Sequence, residues 1–172
     1  MNVRELKINH ILEKAFELFS KEGIDNVTMN NIADKAEIGV ASLYRYFSTK
    51  EELAIQCATK MWQIEKEKAN GFFTTQEYLE KSGIAQLHSI LSYFEDSFDS
   101  TQDFYRFIYY FDSYIKRQSI ENEKLVDYEN IITENPIFVQ RTKRKGLLTP
   151  EIALNGGITG VNLRASGINY DL

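Results

Sequence analysis

The first 135 residues contain no proline; the chain's two prolines are Pro136 and Pro150. Proline removes a backbone donor and clashes with the preceding turn, so its absence leaves three quarters of the chain free to form long helices. The pattern uses that freedom. Apolar residues recur at three- and four-residue steps, the period of a helix with one buried face, and strand-type alternation is scarce. The expected fold class is all-α. At 172 residues and 43% hydrophobic the chain can bury a sizeable core, either as one large domain or as a small head on a larger body.

The first helix is read over residues 3–21, with Ile8, Ile11, Leu12, Ala15, Phe16, Leu18 and Phe19 on its apolar face and Gly23 as its stop. Thr28 is placed to cap a short helix over 29–35, with Ile32 and Ala33 inward. A turn at Ala36-Glu37-Ile38 leads to a second short helix over 40–47, with Leu43 and Phe47 inward. Ser48-Thr49-Lys50-Glu51 has capping-box spacing and announces a long helix to about residue 68, ended by Asn70-Gly71. Body helices are read over 76–98, 101–118 and 120–133. Asn135-Pro136 breaks the pattern, a short helix follows to 145, and Thr149-Pro150 is a further helix start. Five of the nine glycines then fall between Gly146 and Gly167, giving the end of the chain a loop character. There is no internal repeat and no low-complexity tract.

Two short helices joined by a tight turn form the unit that places its second helix in the major groove of DNA. Outward candidates on that second helix are Gly39, Val40, Ala41, Ser42, Tyr44, Arg45 and Tyr46. Gly39 and Ala41 allow a close backbone approach. The hydroxyls of Ser42, Tyr44 and Tyr46 can donate to phosphate oxygens, and Arg45 can reach phosphate or the O6/N7 edge of guanine. Lys50 can add an N–H and a charge near phosphate, and Thr28 is placed to do the same. The charge balance runs mildly against this reading, since the net charge is −5 and the pI about 5.2. Residues 1–50 hold seven Lys/Arg and seven Asp/Glu, so the head is neutral and binds phosphate only if its bases share a face.

Thr28-Met29-Asn30-Asn31-Ile32-Ala33, then Ala36 to Phe47, then Lys50-Glu51-Glu52-Leu53 resemble the head of the TetR/AcrR family of transcriptional regulators over about residues 8–55. Three positions depart from that family's pattern. Glu37 stands at the turn glycine, Gly39 replaces a Ser or Thr cap, and Ala41 replaces a common Gly. The resemblance implies that Asn30, Val40, Ala41, Ser42 and Arg45 contact bases or the groove, while Thr28, Tyr44, Tyr46 and Lys50 position the backbone. It implies a three-helix helix-turn-helix DNA-binding domain over 1–48. A helical effector-binding and dimerisation body follows over 49–172. The implied function is a repressor, working as a homodimer on double-stranded DNA with a palindromic operator and released by a small-molecule effector. In the family, two long closing helices form the dimer interface. Here either those helices are missing or the helices after Thr101 supply the dimer surface.

The body is rich in aromatics. Thirteen of them, from Phe72 to Tyr114, exceed what one helix stripe can hide, so some are expected to line a cavity or an interface. Trp62, Tyr93, Phe107, Tyr110, Phe111 and Tyr114 are the ligand-pocket candidates, suited to an apolar or aromatic effector.

An enzyme is not expected. His10, His88 and Cys57 are the only residues of their types, and no metal-ligand cluster, phosphate loop or nucleophile motif is present, so no cofactor, metal or catalytic residue is expected. A single cysteine excludes an intramolecular disulfide. Neither a signal-like N-terminus nor an apolar run of membrane length is present, so a cytoplasmic location without membrane contact is expected. The rival reading is a helical protein-interaction module that keeps the head's fold without binding DNA.

Overall fold

The computed structural model describes residues 2–133, and all the regular structure among them is helical. The order is α1 (Val3–Glu22), α2 (Met29–Lys35), α3 (Val40–Tyr46), α4 (Lys50–Phe73), α5 (Gln76–Leu79), α6 (Gly83–Ser100), α7 (Gln102–Gln118), a 3-10 turn (Asn122–Leu125) and α8 (Val126–Thr133). The features expected at and beyond Asn135-Pro136 lie outside the described residues.

Local chemistry explains the head. Asn2 and Glu5 close a capping box on α1. Gly23 ends it at φ 80°, a conformation that disfavours any Cβ, and the Tyr110 ring lies 3.6 Å from where a Cβ would stand. Thr28 caps α2 reciprocally with Asn31: its Oγ1 accepts from the Asn31 N–H at 3.2 Å, and its own N–H donates to Asn31 Oδ1 at 2.9 Å. Ile11, Ala15, Phe19, Ile24, Val27, Ile32, Leu43 and Phe47 are fully buried between the three helices.

Three expectations for later elements are corrected. The cap of α4 is shifted by one residue: Thr49, not Ser48, accepts from the Glu52 N–H at 3.1 Å, and the Glu52 carboxylate takes the Ser48 N–H at 2.8 Å. Glu51 accepts from the Tyr114 hydroxyl at 3.0 Å. Next, α4 runs through Gly71 to Phe73, because Ala69 and Phe73 are buried there against Tyr78. That burial outweighs the cost of about 1 kcal/mol for an interior glycine. The body helix expected over 76–98 is instead two helices. Ser82 caps α6 by accepting from the Ala85 N–H, while Gln86 Nε2 donates back to the Tyr78 carbonyl across the break.

In the body α7 lies along α1 and α4, while α8 lies along α4. Phe107 meets Phe16 edge-on at 5.5 Å and stacks with Phe19 at 6.2 Å; Phe111 meets Tyr128 of α8 at 4.9 Å. One hydrophobic cluster therefore runs from Ile11 of the head to Tyr128 without interruption. A smaller one holds Ala69, Phe73 and Tyr78, with Phe72, Ile90 and Tyr93 packed on it. By contrast, α6 buries no residue fully.

Candidate nucleic-acid interface

The turn between α2 and α3 depends on one strained residue. Glu37 adopts φ 56°, the left-handed region expected of the glycine it replaces, and the Ile38 N–H closes the turn on the Ala33 carbonyl at 3.0 Å. Gly39 caps α3 without any side-chain hydrogen bond, and a Cβ there would meet nothing within 4 Å. The backbone at the start of α3 is thus open to an approaching surface. Leu43 and Phe47 fix the inner face of α3 in the core.

The outer face presents most of the expected residues. Gly39, Val40, Ala41, Tyr44 and Arg45 are exposed, with Tyr44 at 50% and Val40 at 38%, and Thr28 and Asn30 are exposed at the start of α2. Ser42 is half-buried, and its hydroxyl accepts from the Arg45 guanidinium at 2.9 Å. The bond holds the Arg45 side chain along α3.

Two of the expected contacts sit elsewhere. Tyr46 is half-buried and turns toward α1, where it and Ile38 close a groove of about 220 Å³ lined by Val3, Leu6, Lys7, His10 and Ile11. The Lys50 ammonium points inward. It donates to the carbonyls of Ile24 at 2.9 Å and Val27 at 3.0 Å and lies 5.7 Å from the Tyr114 ring centre. With the Asp25 carbonyl also in reach, the orphan carbonyls of the α1–α2 loop outcompete solvent for this cation, so it serves as an internal clasp. Only its backbone, in the first turn of α4, still faces outward chemistry.

The neutral head partly cancels its own charge. Lys14 and Lys35 both pair with Glu17, at 2.6 Å and 3.3 Å. The hydrogen bond from Lys14 holds the Glu17 carboxyl below the usual range, and the same bond raises Lys14. Arg4, Lys7, Lys21 and Arg45 remain exposed. Lys7 beside Tyr46 was missed in the sequence, although its helical phase with Val3, His10 and Ile11 places it on the groove.

The end of α7 grips this head. Tyr110 packs on Gly23, the Tyr114 hydroxyl donates to Glu51, and Arg117 forms an ion pair with Asp25 in the α1–α2 loop. The six expected pocket residues do not converge on one cavity. Phe107, Phe111 and Tyr114 are fully buried where α7 packs on the head and α4, and Trp62 meets Phe104 edge-on at 5.1 Å. Tyr110 is half-buried, while Tyr93 belongs to the separate cluster, 5.0 Å from both Phe72 and Phe73. Burial pushes the Tyr93 hydroxyl up to about 12. Cys57 is buried with its thiol toward the Leu12 carbonyl, and burial raises it far above the usual range. His10 and His88 are exposed. Among the described residues no helix is long and apolar enough to cross a membrane, and no group of three His, Cys, Asp or Glu could hold a metal ion.

Comparison with known proteins divides the chain in two. Residues 11–57 match the family described as bacterial regulatory proteins, tetR family. Residues 79–172 match the family described as respiratory-chain NADH dehydrogenase, 49 Kd subunit. Among curated relatives, the chain is 52% identical over 48 residues to a chloroplastic NAD(P)H-quinone oxidoreductase subunit of Acorus calamus. It is 45% identical over 49 residues to NADH-quinone oxidoreductase subunit 4 of Thermus thermophilus. Each alignment covers 28% of this chain and 12% of the relative, so the chain spans about an eighth of the length of these proteins.

Proposed function

We propose, for a chain that belongs through residues 79–172 to the respiratory-chain NADH dehydrogenase 49 Kd subunit family and begins with a tetR-type head at 11–57, that the head sets the function: DNA-binding transcription regulation. The observation that carries this is the outer face of α3. Val40, Ala41, Tyr44 and Arg45 stand exposed on a helix whose inner face is anchored by Leu43 and Phe47. This is the arrangement by which a helix-turn-helix reads a major groove.

In this reading Arg45 leaves Ser42 for a guanine edge or a phosphate, and Asn30, Val40, Ala41 and Ser42 complete the groove contacts. Thr28, Gly39 and Tyr44 seat the backbone of the DNA. Lys50 contributes through its N–H, and Tyr46 contributes through the groove beside Lys7. The regulator is a homodimeric repressor in the cytoplasm, and its operator is palindromic because two heads related by a two-fold axis read two half-sites about 34 Å apart. Residues 1–48 form the reading domain and 49–172 the sensing one. An apolar or aromatic effector acts by displacing the packed rings of Trp62, Phe107, Phe111 and Tyr114, with Tyr110 and Tyr93 at the margins. A shift of α7 is then passed to the head through Tyr114–Glu51, Arg117–Asp25 and Tyr110–Gly23. The effector must favour one head position over the other for this to regulate.

In this reading the chain acts as a regulator and not as an oxidoreductase. The match at 79–172 favours a second reading, a helical protein-interaction module whose head keeps its fold without binding DNA. Selection from a random DNA pool separates the two. The regulator reading expects an enriched palindrome, bound less tightly as salt rises. Arg45→Ala should weaken that binding roughly 10- to 100-fold, and Tyr44→Phe a few-fold, with the helical content unchanged. No enrichment, or retention indifferent to both substitutions in a gel shift, rules against DNA reading by α3.

A further inference from the structure

The indole of Trp62 carries a buried donor with nothing at bonding distance to donate to. Trp62 is 7% exposed on the inner face of α4, Phe104 meets its ring edge-on, and its Nε1 has no hydrogen-bond partner among the described residues. A buried donor left without an acceptor forfeits its hydration and gains nothing for it, so such donors are rare in folded proteins.

Two polar groups stand beside it. The Tyr128 hydroxyl of α8 donates to Asp112 Oδ1 of α7 at 3.5 Å, longer than an ordinary O–H···O bond. The Tyr128 ring is buried edge-on to Phe111. Burial, and then the Asp112 charge, raise the Tyr128 hydroxyl, while the Trp62 N–H pulls it the other way, as a donor facing the same oxygen does. Trp62, Asp112 and Tyr128 therefore turn their polar ends to one place between α4, α7 and α8.

We infer that this place recognises the carbonyl of a neutral aromatic ketone or aldehyde, whose oxygen accepts from the Trp62 N–H and the Tyr128 O–H together. A carbonyl oxygen has two lone pairs and can take both donors. An anion would meet the Asp112 charge that already works against negative charge at Tyr128. An ammonium cannot accept from the indole, and a hydrocarbon leaves the donor as it is. The ligand's ring goes among Phe104 and Phe111, the aromatic neighbours of Trp62 and Tyr128. The inference narrows the apolar or aromatic effector proposed above to one chemical class. It rests on that reading for its regulatory consequence: Asp112 lies on α7 just before Tyr114 and Arg117, which grip the head.

Trp62 is the only tryptophan of the chain, so its indole N–H gives a single peak in a nitrogen-edited proton spectrum of the full protein. Acetophenone, its hydrocarbon isostere isopropylbenzene, and benzoate serve as matched probes. Acetophenone is expected to move the indole proton downfield, as a new hydrogen bond does, and to bind roughly tenfold tighter than isopropylbenzene. Benzoate should leave the peak in place. Tyr128→Phe keeps the ring and should cut the preference for the ketone several-fold; Trp62→Phe should abolish it while isopropylbenzene still binds. Equal affinity for ketone and hydrocarbon overturns the inference and leaves the apolar-effector reading standing. Binding of benzoate as tight as that of the ketone overturns it, as does binding of none of the three. An indole proton already at a hydrogen-bonded position without ligand, and unmoved by acetophenone, shows that water or another part of the chain answers Trp62, and this also overturns it. Acetophenone that binds with the expected signatures but leaves DNA retention in a gel shift unchanged keeps the site and removes only its effector role.

Discussion

Single residues decide how the head is held and what it can offer a ligand. Glu37 occupies the left-handed region at φ 56°, where a side chain costs about 1–2 kcal/mol. Glycine relieves that strain but adds freedom to the unfolded chain, worth about 0.5–1 kcal/mol in the other direction. Glu37→Gly is therefore expected to stabilise the protein by about 0.5–1 kcal/mol in urea denaturation; a destabilised variant would mean that the Glu37 side chain makes up for its backbone. The left-handed turn at Glu37 was legible only through the resemblance to the TetR/AcrR head, whose pattern has a glycine at that position. The fate of Lys50 was not. A lysine at the start of a helix near a DNA-reading unit looks like a phosphate contact, yet its ammonium is taken up by carbonyls 23 and 26 residues earlier in the chain. Sequence shows the charge but not which orphan acceptors the fold brings to it.

At the scale of elements, periodicity located the helices well and their ends less well. The cap of α4 shows why. Ser48 and Thr49 both carry a hydroxyl, and both have a Glu three residues on. The fold selects Thr49, because Phe47, the residue that caps the end of α3, must be buried and Glu51 is wanted by Tyr114. Thr49→Ala should then cost about 1 kcal/mol of stability, and Ser48→Ala much less. Equal losses in thermal denaturation would show that the cap is shared. The division of residues 76–98 into α5 and α6 was missed for the reverse reason. Ser82-Gly83 is a reasonable helix start, but it interrupts an apolar pattern that reads as one helix when its neighbours are unknown.

At the scale of the whole molecule, head and body are joined through the end of α7. Glu51 is held below the ordinary carboxylate value of 4.5 by the hydrogen bond from its own backbone N–H, then by Thr49 and the Tyr114 hydroxyl. A lowered carboxylate stabilises the fold above its ordinary value, and that stabilisation is lost as pH falls below it. Burial, and then the bond to Glu51, raise Tyr114 above the ordinary 10.0. A raised phenol stabilises below its ordinary value, and the contribution is lost as pH rises past 10. Tyr114→Phe should cost about 1 kcal/mol near pH 7 and flatten the alkaline fall in stability measured by urea denaturation. A variant whose stability runs parallel to the wild type at every pH would remove this link from the coupling between α7 and the head. The hydrophobic cluster makes the same connection. It includes Phe19 of the part matched to tetR regulators and Tyr128 of the part matched to the oxidoreductase subunit, so the two stretches share one core whatever their separate resemblances.

What the sequence determined by itself is what short-range physics controls. The absence of proline and the three-to-four periodicity set the helices of the described residues, and caps with the stop at Gly23 set the three helices of the head. The tertiary structure alone decided which exposed-looking residues turn inward. Tyr46 goes to the α1 groove, Lys50 to the loop carbonyls, and most of the pocket aromatics to the seam between α7, α1 and α4. It also decided which apolar face is left outward, on α6. Helical pattern tells which residues share a face, but which face another element covers depends on contacts between residues far apart in the chain.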